Sequence, residues 1–100
     1  MEVIMENHIT TGSVLDDLGF SESEAENLKI RASLMRAIEK YINEKKLTQA
    51  EAAKMMHVSQ PRISDLKRGK IERFTIDMLV NMLACTHASI SLIVNDQIAA

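Results

Sequence analysis

The stretch QPRISDLKRGK, residues 60–70, gathers four cations, Arg62, Lys67, Arg68 and Lys70, around a single Asp65. Such a cluster could meet phosphates, or it could be an ordinary solvated helix face. The rest of the chain separates the two readings. Residues 1–53 hold ten acids and six bases, residues 54–73 six bases and two acids, and residues 74–100 two acids and no base, within a net charge of −2. A net positive balance found in only one block of twenty residues suits a single face that meets a polyanion, with net acid elsewhere keeping non-specific attraction weak. Other chemistries lack their residues. His8, His57 and His87 are dispersed, and no zinc-ligand spacing occurs. The lone Cys85 can form neither an internal disulfide nor a cysteine metal site. Two residues from His87 at a helix end it would not face that imidazole, so it reads as a small buried apolar residue rather than a nucleophile. There is no phosphate-cradling glycine loop, no catalytic triad and no paired-carboxylate cleft. The expectation is a protein that is not an enzyme and uses no metal or cofactor.

The basic block must be held by helices. Thr48 and Glu51 stand in the capping-box relation, which predicts a helix over 49–56. Ser59 is a second N-cap only eleven residues on, and Pro61 is tolerated in a first turn because its missing N–H would be unpaired there anyway. Gly69 supplies the stop. Two short helices joined by a tight turn around His57 and Val58 make a helix-turn-helix by geometry alone. The apolar positions agree: Ala52, Ala53, Met56, Val58, Ile63 and Leu66 point inward, with Ala53 small where the helices cross and Val58 and Ile63 plugging the angle between them.

Around this unit, Ser21 and Glu24 form another capping box, opening a long amphipathic helix over 22–46 with Leu28, Met35, Ile38 and Ile42 at helical spacing. Its acidic start and its end in Lys45 and Lys46 suit the helix dipole. Ser13, Asp16 and Gly19 suggest a short helical turn before it. Residues 1–12 lack periodicity and read as an arm. Thr75 caps a last helix through Met78, Leu79, Met82 and Leu83. The tail then changes period: Ile90, Leu92 and Val94 alternate with Ser89, Ser91 and Ile93, which predicts a strand. A single strand needs a partner, either the N-terminal arm or the same strand of a second subunit.

One hundred residues with 46% apolar side chains suit one small domain, and three Gly, one Pro and no Trp indicate a mainly helical one. Such a core is marginal alone and better supported in an oligomer. Of the seven Met, Met35, Met56, Met78 and Met82 fall on core stripes. No apolar run approaches the roughly 18 residues of a membrane span, the N-terminus has no basic and apolar leader pattern, and a single Cys suits a reducing compartment. The expectation is a soluble, cytoplasmic protein.

The stretch LTQAEAAKMMHVSQPRISDLKRGK resembles the lambda-repressor-like (XRE) helix-turn-helix family, in which Gln often opens both motif helices, as Gln49 and Gln60 do. Together with GSVLDDLGF, the long helix and IERFTIDMLVNML, it looks like the compact XRE proteins that serve as HigA-type antitoxins. The resemblance implies a mainly α, lambda-repressor-like DNA-binding helical bundle with a short C-terminal β-strand. It divides the chain into an arm (1–12), the helix-turn-helix domain (13–85, motif 48–69) and a C-terminal strand and tail (86–100). Gln49 matches a position that holds a DNA phosphate at a helix N-terminus. Ser59, Gln60 and Pro61 match the start of the recognition helix, whose N-terminal residues face the major groove. There Gln60 can pair with adenine N6 and N7, and Pro61 can touch a thymine methyl. Arg62 is long enough for either guanine or phosphate. Lys67 belongs to the same basic face, and Arg68, Lys70 and Arg73 flank the helix end, where the family contacts the backbone. Asp65 either orients Arg62 through an i, i+3 pair or accepts from cytosine N4. His57 stands where the family commonly has Gly, so a left-handed backbone at modest strain is expected there.

The implied function is a homodimeric transcriptional repressor on palindromic double-stranded DNA, with Ile90, Leu92 and Val94 as dimer contacts, acting as the antitoxin of a toxin pair and regulating its own operon. The alternative is a stand-alone or phage-like XRE regulator without a toxin. Asp16, Asp17, Glu22, Glu24 and Glu26 read as helix-start charges, or as a surface for a basic toxin.

Overall fold

The helices begin where a hydroxyl side chain can accept a backbone N–H. In the computed structural model, which describes residues 2–6 and 19–95, Ser21 caps α1 (Glu22–Glu44), Thr48 caps α2 (Gln49–Met56), Ser59 caps α3 (Gln60–Lys67) and Thr75 caps α4 (Ile76–Ala84). Each hydroxyl accepts from the N–H three residues on, at 3.1 to 3.3 Å. The boxes of Ser21 with Glu24 and Thr48 with Glu51 are both closed. Each of the four helices is followed within three residues by a left-handed residue: Lys46 (φ 53°), His57 (φ 57°), Gly69 (φ 71°) and His87 (φ 65°).

The predicted long helix ends two residues earlier than its charge pattern suggests. Lys46 turns left-handed, and Lys46 N–H and Leu47 N–H donate back to Asn43 and Ile42 carbonyls at 3.2 and 3.0 Å. This Schellman ending satisfies carbonyls of the last turn and directs Leu47 toward the core. The helical turn predicted around Ser13 and Asp16 lies outside the described residues; Gly19, where the described stretch begins, is left-handed (φ 86°).

The core is built across all four helices. Leu34, Ile38 and Ile42 of α1 meet Ala52, Ala53 and Met56 of α2, Ile63 and Leu66 of α3, Leu79, Met82 and Leu83 of α4, and Phe74. Full burial of each large aliphatic chain contributes roughly 1.5 to 3 kcal/mol. Val58 is half-buried against this cluster and Met78 packs on its margin. Between α3 and α4 a single turn of 3₁₀-helix (Ile71–Arg73) touches α1.

The arm is not irregular throughout. Glu2–Glu6 form β1, which pairs in parallel with β2 (Ser89–Ile93) in the register Val3 with Ile90 and Met5 with Leu92. The helical domain lies between the two strands in sequence and supplies the long crossover that parallel pairing requires. Of the two partners the tail strand could have taken, the arm of the same chain is the one observed.

Candidate nucleic-acid interface

The angle between α2 and α3 is fixed at His57. His57 N–H and Val58 N–H donate to the Lys54 and Ala53 carbonyls at 3.4 and 3.0 Å, and the left-handed backbone of His57 reverses the chain. Ser59 then starts α3 in an extended conformation, and Pro61 sits in its first turn. At the other end of α2, hydrogen bonding to the backbone N–H and then the side chain of Thr48 holds the Glu51 carboxyl below its ordinary value of 4.5. That charge sits at the positive end of the α2 dipole.

With Ile63 and Leu66 buried, α3 turns its other side outward. Ser59, Gln60, Pro61, Lys67 and Arg68 are exposed, Gln49 and Lys70 are half-buried, and Lys54 is exposed on α2. Lys67, Arg68 and Lys70 have no ion-pair partner among the described residues. Ser59 accepts the Arg62 N–H at 3.3 Å, which leaves its hydroxyl hydrogen available to another acceptor. The exposed positions of α3 and its caps therefore offer an amide, an apolar ring, a hydroxyl and positive charges on one element.

The structure corrects the expected partnership of Asp65. Asp65 does not pair with Arg62; its Oδ1 accepts from Arg73 Nη1 at 2.9 Å, and its side chain is only 16% exposed. Arg62 instead donates through Nη1 to the Arg73 carbonyl at 2.9 Å and lies over the Phe74 ring, 5.5 Å from its centroid. The ion pair spans eight residues, beyond the reach of helical spacing. Sequence reasoning also passed over Arg31. Its Nη1 donates to the carbonyls of Ile71 (3.0 Å) and Phe74 (3.4 Å), and its Nε to Asn27 Oδ1 at 2.6 Å. The one available signal was Phe74, an aromatic residue set just beyond the basic block.

Cys85 is half-buried, and its thiol donates to the Asn81 carbonyl at 3.4 Å. Among the described residues no group of three or more His, Cys, Asp or Glu is placed to hold a metal ion, and no helix is long and apolar enough to cross a membrane. Of the three residues expected in a dimer contact, Ile90 packs against its own chain's core, whereas Leu92 and Val94 are about two-thirds exposed, at 65% and 68%.

The sequence model of the family described as "Helix-turn-helix domain" matches residues 14–95. A solved structure titled "Putative XRE Family Transcriptional Regulator" is similar to this chain at 25% identity and a TM-score of 0.68, covering 76% of this chain and 85% of that one. A search of curated proteins gave no match.

Proposed function

The chain belongs to the helix-turn-helix domain family, and from that premise we propose that it is a DNA-binding transcriptional repressor that works as a homodimer on a palindromic operator. The observation that carries this reading is α3 itself. It is capped, braced on its inner face, and turns Gln60, Pro61, Lys67 and Arg68 outward from a chain whose net charge is otherwise negative. Similarity to an XRE-family regulator supports the same class.

In this reading Ser59, Gln60 and Pro61 face the major groove, with Gln60 and Pro61 on base edges, while Gln49, Lys67, Arg68 and Lys70 hold phosphates. Two recognition helices set about one helical turn apart multiply the specificity of one, and the operator's symmetry mirrors the dimer's. Repression is then simple occupancy of promoter DNA, and it takes place in the cytoplasm. The antitoxin role rests on the resemblance of the stretches from GSVLDDLGF to IERFTIDMLVNML to HigA-type proteins: in this reading the protein neutralises a toxin and represses the operon that encodes both.

Two measurements test this. Selection from a random duplex pool, followed by fluorescence anisotropy across a salt series, should return a palindrome bound far more tightly than random DNA; equal binding to all duplexes removes the repressor. Expression of the adjacent reading frame should arrest growth, and co-expression of this protein should restore it. A harmless neighbour, or arrest that persists, leaves the repressor without a toxin partner.

A further inference from the structure

The cations of the 54–73 block differ in what their heads touch. The Arg62 guanidinium lies over Phe74, a residue only 2% exposed, and donates to the Arg73 carbonyl. The Arg73 guanidinium returns to Asp65, one turn along α3 from Arg62. Two side chains of one α3 face therefore grip residues 73 and 74, while Arg31 of α1 holds the Ile71 and Phe74 carbonyls from the other side. The turn between α3 and α4 is braced by three arginines, and two of them were candidates for DNA contact.

We infer that Arg62 is a positioning residue: stacked on Phe74 and bonded to the Arg73 carbonyl, it fixes α3 against the 71–74 turn and is withheld from the DNA. The inference rests on the DNA-binding reading above. Stacking and directed donation together use the planar guanidinium, which an ammonium cannot reproduce. Reaching a base or a phosphate would break both contacts and leave the ion pair of half-buried Asp65 with exposed Arg73 as the remaining polar side-chain link between α3 and the turn. The outcome is chemical. With Arg62 turned away, the N-terminal end of α3 presents Gln60 and Pro61 and no cation, so adenine and thymine are its natural partners. Arginine, the usual reader of guanine O6 and N7, is missing there. The half-site positions under the start of α3 are therefore A·T pairs.

The test compares wild type, Arg62→Ala and Arg62→Lys by selection from a random duplex pool and by anisotropy over a salt series. All three should select the same half-site, A·T at the positions that Gln60→Ala relaxes. Both variants should bind it about tenfold more weakly, about 1.4 kcal/mol, with the salt slope of the wild type. Restoration by Lys, or a slope reduced by about 0.9 in Arg62→Ala, would make Arg62 a phosphate contact. A guanine preference lost in Arg62→Ala would make it a base reader, and unchanged affinity would remove the positioning role. Each of these results overturns the inference. If the wild type selects no sequence, the DNA-binding reading fails separately, and the brace is read from the free protein by NMR. Arg62 side-chain protons should then carry an upfield ring-current shift that vanishes in Phe74→Leu, and its absence in the wild type overturns the brace.

Discussion

Gln60 and Arg68 stand at opposite ends of α3, both exposed, and their chemistry separates two kinds of contact. A glutamine amide can satisfy adenine's donor and acceptor together, so Gln60→Ala should weaken cognate binding by about 1 to 3 kcal/mol and relax one base position. Arg68, beyond the last turn of the helix, should act on the backbone: Arg68→Ala should weaken every duplex alike and lower the salt slope by about one ion. Equal losses on all sequences for Gln60→Ala, or an unchanged slope for Arg68→Ala, would take each residue out of its role. His57 is a separate case. Its left-handed backbone costs about 1 kcal/mol or more for a non-glycine residue, partly offset in His57→Gly by the greater unfolded-state entropy of glycine. The substitution should raise the melting temperature by a few degrees and leave DNA affinity unchanged. A lower melting temperature would mean that the imidazole contributes a contact worth more than the strain.

At the scale of elements, the start of α2 carries a pH dependence. The carboxyl of Glu51 titrates below its ordinary 4.5 because it accepts the Thr48 N–H at 2.9 Å. A group whose folded value is depressed contributes stability above its unfolded value and loses it as pH falls through the folded one. Glu51→Gln keeps an acceptor in the box without the titration, so wild type should be the more stable near neutrality and the two should converge as pH drops below 4.5. Thermal melts from pH 7 to pH 2 check this, and a constant gap would assign the effect to packing. Elements of this kind were legible in the sequence because they are local. Thr48 with Glu51 and Ser59 with Gly69 mark helix ends within eleven residues, and the buried set from Ala52 to Leu66 follows from period alone. The Arg31, Arg62 and Asp65 contacts were not legible. They depend on where the 71–74 turn lies in space, and Arg31 reaches carbonyls 40 and 43 residues away, which no periodicity encodes.

At the scale of the whole molecule, a palindrome asks for two copies, and the contact proposed for the second is β2. Parallel pairing with β1 occupies one edge of β2, and Ile90 anchors the strand to its own core. Beyond Ile90 the core ends while the apolar pattern continues, leaving Leu92, Ile93 and Val94 exposed in succession. A two-stranded sheet with an open apolar end is marginal in water, and a second copy of the same strand would cover it symmetrically. Deleting the tail would also remove the partner of β1, so charge is the cleaner probe. Leu92→Glu with Val94→Glu places like charges on both sides of a two-fold contact while leaving Ile90 and the helical core intact. Sedimentation should then show a larger monomer fraction at an unchanged helical content, and operator affinity should fall because the two half-sites are no longer engaged together. If the variant sediments as the wild type does, the dimer contact lies on the helices. If it becomes monomeric yet binds the operator equally well, a single α3 carries the recognition, and the palindrome is not a requirement of this protein.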